Sequence, residues 1–249
     1  ADVAITPVWI AIIHTMFNVA TCLVLLPISS ILEKLAKLTI RDGKTNTEDY
    51  AVLDERFLST PSFAIDQCRN LSVKMAALTQ STLNDAIKML YEYNEQEGEE
   101  IILNENRVDE YEDKIGSYLV KLNSKDITDR ESKEISLLLH CIGDIERISD
   151  HAVNTLEAAQ EINAKKLVFS DKAREELRIY IAAITEIVDL AFNAFETGDI
   201  TGAKTVEPLE EVIDNLRNEL KKHHIKRLRK GKCTIDTGFV LQDLLTNFE

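Results

Sequence analysis

Three observations predict an all-α chain, built as two tandem three-helix bundles preceded by one transmembrane helix. The first is composition. The 249 residues include only eight glycines and four prolines, with 45% apolar and 29% charged side chains, a mixture that favours helix almost throughout. The second is an uncharged run from Val3 to Leu32, 30 residues long, where about 20 suffice to cross a bilayer. The third is repetition: three helical patterns are followed by three more in the same order, displaced by 103 to 105 residues.

Residues 1–40 read as the last membrane helix of a larger unit. The run lacks a basic leader and a cleavage site, so it does not read as a signal peptide. Trp9 suits an interface and Pro27 kinks or ends the helix. Lys34, Lys37, Arg41 and Lys44 follow within eleven residues, which places everything after about residue 40 in the cytoplasm and the run itself in the cell membrane. His14 and Asn18 are four apart and share a face. With Thr15 they are the polar exceptions, serving either hydrogen bonds to other helices or a transport path. The chain opens without an initiator methionine, so further membrane helices are expected upstream.

Residues 41–59 are polar, carry Gly43 and show no period, as a linker does. Thr60-Pro61 then opens a helix to about Asn94. Its apolar side runs through Ile65, Leu71, Met75, Leu78, Leu83, Ile87 and Leu90. A second helix covers about 97–122. Thr128 and Glu131 form a capping box for a third, to about Ile162. Ser170 caps a fourth that ends near Gly198, a fifth spans about 199–230 with an interruption near Pro208, and a sixth runs from Thr234 to the last residue. The repeats are therefore 60–165 and 166–249, the second expected to stop inside its last motif.

Acidic pairs recur at matching phases of the two repeats. Glu146 and Asp150 share a face of the third helix, beside Leu139, Ile142 and Val153, which reads as the buried stripe. Unpaired carboxylates there repel each other and lose hydration, so a metal ion, Arg147 or a facing helix should meet them; alternatively the stripe drifts and both are half exposed. With 43 acids in the chain, any one such pair arises by chance. Glu105 and Asp109, however, recur as Glu210 and Asp214, 105 residues on, and Glu146 recurs as Glu249, 103 residues on. If the pairs of one unit meet across a groove, the all-oxygen set suits hard or borderline cations such as Mg2+, Mn2+, Fe and Ca2+.

A net charge of −14 argues against a nucleic-acid partner. Cys22, Cys68, Cys141 and Cys233 are scattered, without a CxxC pair, and read as reduced thiols in a cytosolic setting. Lys221–Lys232 is the one strongly basic run, suited to the carboxyl end of a helix or to an anionic surface. A di-iron oxidase would need Glu-x-x-His, and none of the five histidines has a glutamate three residues before it. No phosphate cradle or nucleophile–base set occurs either, so no enzyme is expected.

The stretch GDIERISDHAVNTLE (143–157), with ENRVD and EEVID in the partner helices and the doubled three-helix length, resembles the PhoU family. The leading span, with HTMFN at His14–Asn18, looks like the last membrane helix of the Na+/phosphate cotransporter family, whose members carry a PhoU-like domain at the cytosolic carboxyl end. The resemblance implies that Glu105, Asp109, Glu146 and Asp150 are metal ligands in the first repeat, with Glu210, Asp214 and Glu249 as counterparts in the second. It implies divalent or iron-type ions as cofactors, and upstream helices, membrane, sodium and phosphate as partners; a homodimer is compatible with it. The competing reading is a purely structural or partner-docking bundle with every acidic pair solvated.

Overall fold

The computed structural model describes residues 7–25 and 49–249. The chain divides into two units, Ala1–Glu48 and Asp49–Glu249.

The described part of the first unit is one helix, α1, Pro7–Leu25. Proline suits a first helical position because its missing N–H has no partner there in any case. The Thr15 and Thr21 hydroxyls donate to the Ala11 and Phe17 carbonyls at 2.9 and 2.8 Å, which satisfies them within their own helix. Ile13, Met16 and Phe17 are exposed, as are His14 and Asn18, one turn apart. Among the described residues no helix is long and apolar enough to cross a membrane. The expected span over residues 1–40 lies partly outside the described residues, as do Pro27 and the basic cluster that follows it.

The second unit is helical, with no strand among the described residues. Residues 49–59, read from the sequence as the end of the linker, instead form two short 3-10 turns, Asp49–Val52 and Glu55–Ser59. Leu58 is buried, Tyr50, Val52, Leu53 and Phe57 pack on the core, and the Tyr118 hydroxyl donates to the Asp54 carbonyl at 2.9 Å. These apolar anchors fix a segment whose lack of period hid it. Then follow α2 (Pro61–Met89), α3 (Glu95–Asn123), α4 (Asp129–Ala164), α5 (Asp171–Thr197), the single turn α6 (Ile200–Ala203), α7 (Val206–Arg229) and α8 (Ile235–Asn247).

Helix ends follow local chemistry. The Thr128 capping box forms at α4, with Glu131 accepting from the Thr128 N–H at 2.9 Å and Thr128 accepting from the Glu131 N–H at 3.3 Å. Ser170 caps α5 by accepting from Ala173 at 3.3 Å. Gly198, at φ 69°, closes α5 in the left-handed region that glycine reaches without a Cβ clash. Two boundaries differ from the expectation. The first helix ends at Met89 rather than Asn94, because Asn94 is extended and accepts from the Gln96 N–H at 3.0 Å as the cap of α3. The interruption in the fifth pattern falls at Lys204-Thr205, and Pro208 sits in the first turn of α7, where it breaks no hydrogen bond.

Two apolar cores are built from these helices. Ile65, Leu71 and Met75 of α2, Val108, Ile115 and Leu119 of α3, and Ile135, Leu138 and Ile142 of α4 form one. The other joins Leu83 and Met89 of α2 and Leu156 of α4 to Tyr180 and Ile184 of α5, Leu220 of α7, and Val240 and Leu244 of α8. The long helices α2 and α4 thus run through both cores.

The buried stripe of α4 passes through Leu138, Ile142, Ile145, Ser149, Ala152 and Leu156. That corrects the expected stripe by one residue. Leu139 and Val153 are half-buried, Glu146 is half-buried and Asp150 is exposed, so the acids line the margin of the stripe and not its centre.

Candidate metal centre

Glu105 and Asp109 stand one turn apart on α3, flanking Val108, which is fully buried in the first core. Burial of that neighbour fixes the helix rotation and turns both carboxyls toward α4. There Glu146 and Asp150 repeat the one-turn spacing on either side of buried Ser149. Carboxylate oxygens of Glu105, Asp109 and Asp150 lie within 4.8 Å of one another. Glu146 stands outside that trio but within its electrostatic reach.

Like charges and lost water both act on this cluster. The Glu105 carboxyl titrates above its ordinary range, first through lost hydration and then through the charges of Asp109 and Asp150. Asp109 is raised by lost hydration and by Asp150 and Asp113. Glu146 is raised by lost hydration, then by Asp150, Asp109, Glu112 and Glu105. Arg107 donates to Asn104 at 3.3 Å, and Arg147 is exposed without an ion pair, lining a cleft of about 310 Å³ together with His151, Asn247 and Glu249. The donor set is all oxygen and clustered, which is the chemistry a hard cation takes.

The corresponding acids of the second repeat are arranged differently. Asp214 and Glu249 both contact Arg217, at 3.2 and 2.5 Å, and the Arg217 side chain is only 13% exposed. Glu210 is exposed on α7 and belongs to no such cluster among the described residues. Arg217 stands 105 residues after Glu112, the same displacement that relates Glu210 to Glu105 and Asp214 to Asp109. Where the first repeat places a further acid, the second places a guanidinium that neutralises its acids from within. Of the seven acids expected to bind metal, the structure brings three together, sets Glu146 beside them, and gives Asp214 and Glu249 to an arginine. Reading the repeat one helical turn past the acidic pair would have exposed the Glu112-to-Arg217 exchange.

Comparison with known proteins fits this architecture. A match to the PhoU domain covers residues 73–159 and 177–249, one stretch in each half. The chain is 25% identical over 169 residues to the phosphate-specific transport system accessory protein PhoU homolog 1 of Thermotoga maritima, covering 67% of this chain and 72% of that protein. It is 22% identical over 240 residues to the putative inorganic phosphate export protein YjbB of Escherichia coli K12, covering 95% of this chain but only 44% of that protein. The chain therefore spans less than half the length of that relative. In fold, the crystal structure of the phosphate transport system regulatory protein PhoU from Streptococcus pneumoniae superposes with a TM-score of 0.65 at 17% identity, covering 76% of this chain and 88% of that one. By the extent of the family match and by its helical architecture, the chain belongs to the PhoU domain family.

Proposed function

We propose that this chain is the regulatory part of a sodium-coupled phosphate transporter: residues 1–40 its last transmembrane helix, the remainder a cytosolic tandem of PhoU-like bundles that binds a divalent or iron-type cation. Phosphate movement belongs to helices upstream, and the chain performs no catalysis. Three things support the membrane reading: the uncharged run from Val3 to Leu32, the basic residues after it, and an alignment with the export protein that covers 95% of this chain. One observation carries the cation reading, the convergence of Glu105, Asp109 and Asp150 from two helices to within 4.8 Å. A bound cation would relieve the repulsion that, after lost hydration, raises Glu105, Asp109 and Glu146, and would hold α3 against α4.

Equilibrium titration of the full chain with Mn2+, Fe2+, Mg2+ and Ca2+ tests this. Saturable binding is expected, weakened at least tenfold in the Glu105→Gln, Asp150→Asn variant. Equal and negligible uptake by both proteins would leave the alternative, a docking bundle without an ion. The exposure of Asp109 and Asp150 is the observation in favour of that second reading.

A further inference from the structure

Lys221–Lys232 contains seven of the chain's 29 lysines and arginines and none of its 43 acids. The run covers the last turns of α7 and the turn that follows. Part of it serves the fold. Arg227 donates to Glu176 of α5 at 2.6 Å, His223 Nδ1 lies 2.9 Å from the same carboxylate, and Lys222 donates to Glu219 at 2.8 Å. Lys226, Arg229, Lys230 and Lys232 are exposed and make no ion pair among the described residues. The helix dipole explains cations in the last turn of α7, but it does not explain the company they keep. Ile225 and Leu228 stand among them, 49% and 40% exposed. Lys222, Ile225, Lys226 and Arg229 follow the i, i+3, i+4, i+7 spacing of one helix face, opposite buried Ile213 and Leu220.

We propose that this face of α7 docks on an anionic lipid surface. The occupant is argued from charge and shape. The stripe is of one sign in a chain of net charge −14, and its free cations sit on long flexible stems. Interleaved aliphatics suit the boundary between headgroups and acyl chains, with the cations against the lipid phosphates. At the other end of the chain, Lys34, Lys37, Arg41 and Lys44 follow the uncharged run, again the pattern of a segment beside an anionic leaflet. The inference is independent of the cation site on α3 and α4.

The test is amide hydrogen exchange of the full chain, reconstituted with vesicles of phosphatidylcholine alone or mixed with phosphatidylglycerol. Exchange over residues 221–235 should slow only with phosphatidylglycerol, and the protection should vanish at high salt. It should fall about fivefold for each cation removed in the series K226Q, R229Q, K230Q and K232Q. Arginine in place of the three lysines should retain it. These side chains are exposed and unpaired, so the thermal midpoint of the variants should match the parent. Exchange over Pro7–Leu25 reports on the membrane reading of residues 1–40 separately. Equal exchange in the two lipids, or protection that survives all four substitutions, would overturn the docking proposal. Protection by soluble polyglutamate with none from lipid would overturn it too and assign the face to an acidic protein.

Discussion

Arg217 is where the two repeats part company. A guanidinium that is 13% exposed and contacts Asp214 and Glu249 is held between acids that correspond to Asp109 and Glu146 of the first repeat. Removing it leaves two carboxylates facing each other beside the Tyr180 ring, whose hydroxyl is already pushed up to about 12, chiefly by burial. Arg217→Gln should therefore lower stability by about 1–2 kcal/mol in urea titration. Arg217→Glu restores at this position the acid that the first repeat carries as Glu112, and places three carboxylates together with Asp214 and Glu249. Its loss of stability should be recovered by millimolar Mn2+, whereas the Gln variant should show no such recovery. Equal behaviour of the two variants with Mn2+ would mean that the second set cannot hold an ion in any form.

At the scale of the element, α4 matters most, because one 36-residue helix supplies both cores. Ile142 is fully buried in the first core and Leu156 is 1% exposed in the second. Truncating either to Ala should cost about 2–5 kcal/mol. Because α4 and α2 bridge the two cores, each truncation should lower the transition of the whole 49–249 unit. Tryptophan probes placed in the two cores should report a single midpoint; two separated midpoints would show that the cores melt independently.

Much of this layer was legible in the sequence, since caps act locally: Thr128, Ser170 and Gly198 mark their helix ends through chemistry contained within a few residues. The stripe of α4 was misplaced by one position because Ser149 and Ala152, both small, form its centre while flanking Leu139 and Val153 look more apolar. Residues 49–59 were missed because their anchors pack by tertiary contact and follow no helical or strand period. At the candidate site, the acids of α3 and α4 were legible as repeated pairs. The guanidinium of Arg217 was not, because a search for repeated acids passes over the position where the repeat changes sign.

For the whole molecule, an excess of acid sets the response to pH. Glu105, Asp109 and Glu146 all titrate above their ordinary values, so the folded chain binds their protons more tightly than the unfolded chain does. Between the unfolded and the folded values, stability must then fall as pH rises. Exposed acids such as Glu55 and Glu219 are shifted the other way by their partners, but in full solvent their weight is small. The comparison that isolates the cluster is the chelator-treated parent against a Glu105→Gln, Asp109→Asn, Glu146→Gln variant. The variant should gain stability over the parent as pH climbs through the carboxylate range, and the two should converge in acid. Added cation should reverse the order at neutral pH, stabilising the parent by about 2.7 kcal/mol at a hundredfold excess over Kd. A difference that does not change with pH would remove the cluster as the source of the repulsion.

No chelator strips an arginine from a polypeptide. On the proposed reading, the acids paired with Arg217 stay in one setting whatever the supply of ions in the surrounding solution, and the set around Glu105, Asp109 and Asp150 follows that supply. With one responsive set per chain, cation titration of the proposed site should follow a simple hyperbola with a Hill slope of one, graded and not switch-like.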